Sequence, residues 1–212
     1  RMHWREQRIL DLSREFLNTN GVRQKARVLV ASPAEPDQAG SVPESPDDWM
    51  QDLNACSQKG LFERFDSTIG AGTLVMPAGG LYQQTTALGM AAKLPLLTGE
   101  TETATLMTFG FDPFLAEQSP FHGAYYAVID SVTKQVAMGG HRDRIRLSFQ
   151  EYFESLGKNP ISWGKPFSAL LGALKVQKEL GIPAIGGKDS MSGTFKEINV
   201  PPSLISFAVS VT

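Results

Sequence analysis

Two helical stretches with sharp ends, set among apolar strand-like runs, dominate the second half of this 212-residue sequence. Ser119-Pro120 opens the first, over about 120–138. Serine suits the N-cap, proline the first turn, and Gly139-Gly140 the end. The second is "KPFSALLGALKVQKEL" (165–180), with Phe167, Leu170, Leu171 and Leu174 on one side and Gly181 at its C-terminus. "ETATLMTFGF" (102–111), "RIRLSF" (144–149), "IPAIGG" and "SLISFAVSVT" (203–212) read as strands, "IPAIGG" as a short buried one. Mixed strands and helices of this kind predict α/β or α+β layers.

The first half is less regular. "WREQRILDLSREFLNT" (4–19) predicts an amphipathic helix with Gly21 past its end, and "ARVLVA" (26–31) a strand. Residues 33–47 carry four prolines and several acids and predict a surface loop. "PDDWMQDLNAC" predicts a short helix and "GTLVMP" (72–77) a strand.

Charge and cysteine usage narrow the function. With 20 basic and 22 acidic side chains, the net charge is -2, which argues against a polyanionic partner such as nucleic acid. The single cysteine, Cys56, excludes an internal disulfide framework and a four-cysteine zinc site. His3, His122 and His141 show no metal spacing. No apolar run approaches the roughly 20 residues of a membrane helix, and the polar start is no secretory leader. A cytoplasmic setting is expected. The chain starts at Arg1 and stops inside a strand-like run, so a piece of a longer protein is also expected.

Several stretches carry chemistry-bearing side chains. "GIPAIGGKDSMSGTF" (181–195) suggests a phosphate loop, but its spacing is one residue too long for a Walker loop. It also puts Asp189 where the magnesium-binding hydroxyl belongs, and it follows a helix instead of opening one. Lys188 is able to meet a phosphate as a point charge and Asp189 a metal or base; taken by itself, the stretch reads first as an ordinary turn with solvated or paired charges. "RFDSTIGAGT" (64–73), with Arg64 and Asp66, is either an anion nest or a glycine-rich turn. His122, Tyr126, Asp130 and Lys134 follow at i, i+4 steps on one helix face, which lines a cleft or an interface, or is an exposed face with an Asp130–Lys134 pair. Glu100 and Glu102 in "TGETET" are magnesium-type ligands or a solvated acidic loop. Cys56 has no evident partner base and reads as a small apolar residue.

Taken together, "CSQKGLFERFDSTIGAGTLVMP", "SPFHGAYYAVIDSV", "RIRLSFQEYFESLG", "WGKPFSALLGALKVQKELGIPAIGGKDSMSGTF" and "VPPSLISFAVSV" resemble the large, single-chain form of phosphoribosylformylglycinamidine synthase. The resemblance covers about residues 50–212, with 1–49 a looser lead-in of helix, strand and Pro-rich loop. It implies a fragment: the N-terminal half of the second of two copies of the aminoimidazole ribonucleotide synthetase fold. That fold implies a mixed four-stranded sheet with helices on one side, pairing with a like module into a β-barrel. The implied reaction is the ATP-dependent conversion of formylglycinamide ribonucleotide and glutamine to formylglycinamidine ribonucleotide in purine synthesis. The glutaminase domain and the first copy are the implied partners.

The resemblance also implies ATP or ADP with Mg2+ in the full enzyme, with Asp130 and Glu100 as metal ligands. Lys134 is a departure from the family's Asn, and Thr98 from its Asp, with Glu100 two residues on as the substitute. Gln58 stands where the family has Lys, with Lys59 adjacent. Gln58, Lys59, Asp66, Lys134, Lys188, Asp189 and Ser190 form the implied nucleotide-binding set, and "GGKDSMSG" the turn at the cleft mouth. The fragment is expected to be inactive alone and to form a homodimer. The alternatives are a structural barrel-forming module with a decayed nucleotide site, and a family-free small-molecule binding module.

Overall fold

The structure is a computed structural model that describes residues 1–18, 25–32, 45–53, 55–64, 70 and 72–212. Its N-terminal part departs from the sequence reading. In place of a helix over 4–19 there is an antiparallel hairpin, β1 (Met2–Trp4) and β2 (Gln7–Leu10), then a short helix α1 (Arg14–Asn18). Asp11 pairs with both Arg1 and Arg8 and ties the hairpin ends together. Ile9, Leu10, Phe16 and Leu17 are all exposed, so no packed face favours a long helix here. Residues 26–31 join no sheet. They run along the start of helix α6 (Pro160–Leu180), where the Leu29 N–H donates to the Pro160 carbonyl at 3.0 Å. Gly164 permits this approach, since a Cβ there would collide with the Leu29 carbonyl oxygen. Of the proline-rich loop, residues 33–44 lie outside the described residues.

The predicted short helix is present as α2 (Pro46–Gln51), its Ser45 Oγ accepting from the Asp48 N–H at 3.2 Å. The helix α3 (Lys59–Arg64) follows. The main sheet then begins with β3 (Thr73–Val75); a small hairpin, β4 (Ala78–Gly79) and β5 (Thr85–Thr86), leads into β6 (Gly89–Lys93) and β7 (Ala104–Gly110). After β7 come α4 (Pro113–Gln118), α5 (Pro120–Ala137), a 3-10 turn (Arg142–Arg144), β8 (Arg146–Tyr152), α6 and β9 (Ala184–Ser190). A hairpin of β10 (Thr194–Phe195) and β11 (Ile198–Asn199) precedes β12 (Ser203–Val211).

The mixed sheet is present and wider than the resemblance implies, six strands instead of four, in the order β3-β6-β7-β12-β8-β9. Only β8 and β9 pair in parallel, joined through α6, as a crossover of this kind requires. β9 is an exposed edge strand, not a buried one, and it carries "GGKDS" as extended backbone instead of a turn. Among the described residues β8 is the one strand paired with β9.

Helices α5 and α6 cover one face of the sheet. Val128 and Val132 of α5 and Ala169, Ala173 and Val176 of α6 pack on Leu147, Phe149, Leu204 and Ala208. The two helices approach closely: a Cβ on Gly172 would strike the Phe121 carbonyl. Small residues therefore fill the α6 inner face, and the Phe167, Leu170, Leu171, Leu174 side points outward.

A buried polar seam fixes α5 to β7 and β12. Ser131 Oγ meets Ser206 Oγ at 2.9 Å, and Thr108 Oγ1 donates to the Ser131 carbonyl at 2.6 Å. Gln135 Nε2 donates to Ser210 Oγ at 2.7 Å and to the Leu106 carbonyl at 3.1 Å. Gly110 lets the helix backbone touch the strand, since a Cβ there would overlap the Ala127 carbonyl oxygen.

At the sheet edge, Glu151 stands opposite Asp189 in the parallel register. Burial, and then the Asp189 charge, hold the Glu151 carboxyl above its ordinary value of 4.5. Nearby, Glu154 is held below that value, chiefly by the hydrogen bond that Lys165 donates at 2.8 Å.

Two outcomes follow for stability. Gln135→Leu leaves the Ser210 hydroxyl without its amide and costs about 2 kcal/mol in urea denaturation, while Gly110→Ala costs at least as much by forcing α5 off the sheet. For the carboxyls the pH signs are opposite. The raised Glu151 contributes stability that is complete below its unfolded value and is lost as pH rises through its folded value. Glu151→Gln is therefore more stable than wild type at about pH 8, and the difference shrinks towards about pH 4. Glu154 contributes above its unfolded value and loses that contribution in acid, so Glu154→Gln is weaker at about pH 8 and converges with wild type at low pH. Differences that do not change with pH would contradict both assignments.

Candidate functional site

Helix α5 opens as its sequence predicts. Ser119 Oγ accepts from the His122 N–H and lies 2.9 Å from His122 Nδ1, and Pro120 fills the first turn. The i, i+4 face forms as expected: the His122 and Tyr126 rings stack at 6.5 Å, and Lys134 Nζ lies 2.6 Å from Asp130 Oδ2. An open groove of about 410 Å³ runs along this face, lined by Phe111, Asp112, Leu115, Tyr126, Asp130 and Thr133 among others. Lys134 has two further partners. Its Nζ donates to the Phe109 carbonyl at 3.1 Å and lies 5.1 Å from the Phe109 ring centroid. Strand order explains why that carbonyl is reachable, because β6 begins at Gly89 opposite Thr108 and β7 outruns it at Phe109.

Lys188, Asp189 and Ser190 end strand β9. Lys188 Nζ sits 5.9 Å from the Tyr152 ring centroid, and Ser190 Oγ lies 3.0 Å from Ser192 Oγ. The strand registers place Phe109, Phe207, Ser148 and Gly186 in one row across β7, β12, β8 and β9. Three strand spacings, roughly 14 Å, separate the ends of that row. Lys134 and Lys188 thus mark the same end of the sheet, the carboxyl ends of β7 and β9.

The remaining sequence candidates lie elsewhere. The Gln58 amide is engaged locally, donating to the Leu53 carbonyl at 3.0 Å and the Cys56 carbonyl at 3.2 Å. Lys59 pairs with Glu63 at 3.5 Å. Asp66 lies outside the described residues. Glu100 and Glu102 sit in the loop between β6 and β7, and Glu102 pairs with Lys93 at 3.3 Å. That loop joins the Ala104 end of β7, and five residues of strand, roughly 17 Å, separate Ala104 from Phe109. Glu100 and Asp130 are therefore not brought together. Among the described residues no group of three or more His, Cys, Asp or Glu is placed to hold a metal. Cys56 Sγ contacts the Leu53 carbonyl at 3.4 Å and the Gln58 amide nitrogen at 3.6 Å.

The apolar face behind the expected self-association contains none of the polar candidates. The sheet face away from the helices carries Met107, Phe109, Ile205, Phe207 and Val209. Phe109 is 52% exposed there, and an open cavity of about 490 Å³ runs from it to Phe62 of α3. The signal was present in "ATLMTFG" and "SLISFAVSV". In both, apolar residues fall in both alternating sets, Leu106 and Leu204 in one and Met107, Phe109, Ile205, Phe207 and Val209 in the other, so both faces seek cover.

No family model matches the chain. The phosphoribosylformylglycinamidine synthase subunit PurL of Thermoplasma acidophilum is 20% identical over 215 residues, covering 96% of this chain and 26% of that protein. PurL of Picrophilus torridus is 23% identical over 146 residues, 68% of this chain and 19% of its own length. The chain thus spans about a quarter or less of the curated relatives it matches. Among solved structures, PurLQS from Thermotoga maritima aligns with a TM-score of 0.66 at 16% identity, over 99% of this chain and 31% of that one. PurL of the same organism complexed with ATP aligns at 0.62 and 15% identity, over 89% and 27%. By sequence likeness and by fold, the chain is similar to about a quarter of the phosphoribosylformylglycinamidine synthase subunit PurL.

Proposed function

We propose that this chain is one segment of an ATP-dependent ligase of purine biosynthesis, and that it is inactive by itself. The ligase converts formylglycinamide ribonucleotide and glutamine to formylglycinamidine ribonucleotide. The observation that carries this reading is the apolar sheet face left uncovered among the described residues, ending at the rim marked by Lys134 and Lys188. A face of this size and polarity calls for a partner surface. A like module of the same protein, closing the two sheets into a barrel, satisfies that need. Solved Thermotoga maritima PurL structures hold ATP, ADP or FGAR, which supports a nucleotide cleft shared between this segment and its neighbours. In the proposed reaction the γ-phosphoryl group of ATP goes to the substrate amide oxygen. Ammonia from a glutaminase domain then adds to the carbon, and phosphate leaves with that oxygen. This chain contributes binding charge and shape: Lys188 meets a phosphate as a point charge and Ser190 as a hydroxyl donor. A cytoplasmic setting belongs to the same reading; no helix among the described residues is long and apolar enough to cross a membrane.

A second reading, a structural module with a decayed nucleotide site, is favoured by one observation: the Asp130 carboxylate already has Lys134 upon it. Calorimetric titration with ADP separates the two. The ligase reading predicts measurable affinity, weakened about fivefold to tenfold in Lys188→Ala by loss of one charge-assisted contact. Absent binding, or affinity unchanged in Lys188→Ala, favours the structural module. The chain alone is expected to show no turnover with formylglycinamide ribonucleotide, ATP and ammonia. It is also expected to self-associate through the open face, giving twice the chain mass by light scattering. Turnover by the chain alone, or a strictly monomeric mass at high concentration, would count against these expectations.

A further inference from the structure

The magnesium implied by the family resemblance does not fit the residues around Asp130, and the misfit is specific. Asp130 Oδ2 and the Phe109 carbonyl oxygen converge on one point, at 2.6 Å and 3.1 Å, and that point is Lys134 Nζ. A carboxylate and a backbone carbonyl are the hard oxygen ligands that a magnesium or calcium ion takes. The face of the Phe109 ring, 5.1 Å away, adds the electron-rich surface that a cation seeks. The lysine side chain is only 26% exposed, so its ammonium is partly withdrawn from water into this oxygen set. The second expected ligand, Glu100, belongs to the far end of β7. A divalent ion at Asp130 would have to expel the ammonium or sit beside it, and either choice is opposed by charge.

We propose that Lys134 is a resident cation standing in for a divalent metal, so that the Asp130 end of the groove is a metal-free, lysine-neutralised site. The i, i+4 spacing alone gives an ordinary surface pair. What distinguishes this one is the strand carbonyl left unpaired where β7 outruns β6, which turns the pair into a three-way link between α5 and β7. Its consequence is that any phosphate-bearing ligand on this side of the groove is received without a protein-bound metal. The proposal rests on the local geometry. A chain that bound no nucleotide would overturn the ligase reading above and leave this one in place.

The test combines metal binding with a double-mutant cycle on the whole chain. Mn2+ titration followed by electron paramagnetic resonance is run on wild type and Asp130→Asn. Thermal midpoints are measured for wild type, Asp130→Asn, Lys134→Met and the double variant. The expected result has two parts. No Mn2+ binding depends on Asp130, and the double variant loses clearly less in midpoint than the sum of the two single losses. Mn2+ binding that persists in Asp130→Asn lies elsewhere on the chain and agrees with the proposal. Stoichiometric Mn2+ binding abolished by Asp130→Asn would overturn it. So would strictly additive midpoint losses, since the ammonium and the carboxylate would then not be acting together.

Discussion

The contact on which the rest of the structure depends is the seating of α5 on β7 and β12. Gly110 removes the side chain that would hold the helix away, and the seam of Thr108, Ser131, Gln135, Ser206 and Ser210 fixes its register. Such a seam is costly unless every member is paired, and here no buried side-chain nitrogen or oxygen among the described residues lacks a partner. The seating also sets the site. A helix one residue out of register would carry Lys134 away from the Phe109 carbonyl and Asp130 out of the groove.

The same seam explains why the sheet has an unusual division of residues. Beside α5 its helix-covered side is built mostly of small residues, Thr108 and Gly110 of β7 and Ser206, Ala208 and Ser210 of β12, while Leu106 and Leu204 fill that face as larger buried side chains. Met107, Phe109, Ile205, Phe207 and Val209 lie on the opposite face, away from α5 and α6. An apolar sheet face left open in this way belongs to a chain that works against another surface.

Much of this was legible in the sequence, and the failures have physical causes. The ends of α5 were visible because Ser119, Pro120 and Gly139 act locally through caps and backbone preference. The four-residue spacing of Asp130 and Lys134 fixed their contact as well. The spacing of apolar residues over 4–19 suggests a helix, but Met2, Trp4, Ile9 and Leu10 are exposed, so that period carries no weight and a hairpin forms. "GGKDS" was read as a turn because glycine and lysine suggest one; its pairing with β8, more than thirty residues away, decided for a strand. The long-range position of Glu100 relative to Asp130 was equally hidden, since only the direction of β7 separates them. The family resemblance supplied a metal pair that the strand geometry does not assemble.

Under the proposed function the open face is an interface within a longer protein. Methionine footprinting with hydrogen peroxide tests it most directly, using Met107 on that face and Met50 on α2, which is 69% exposed, as the reference. The rates are compared between this chain, diluted below any self-association, and the longer protein that contains it. The account predicts that Met107 is oxidised readily in the chain alone and is strongly protected, relative to Met50, in the longer protein. Equal Met107 rates in the two would mean that the face stays open, and would contradict the account.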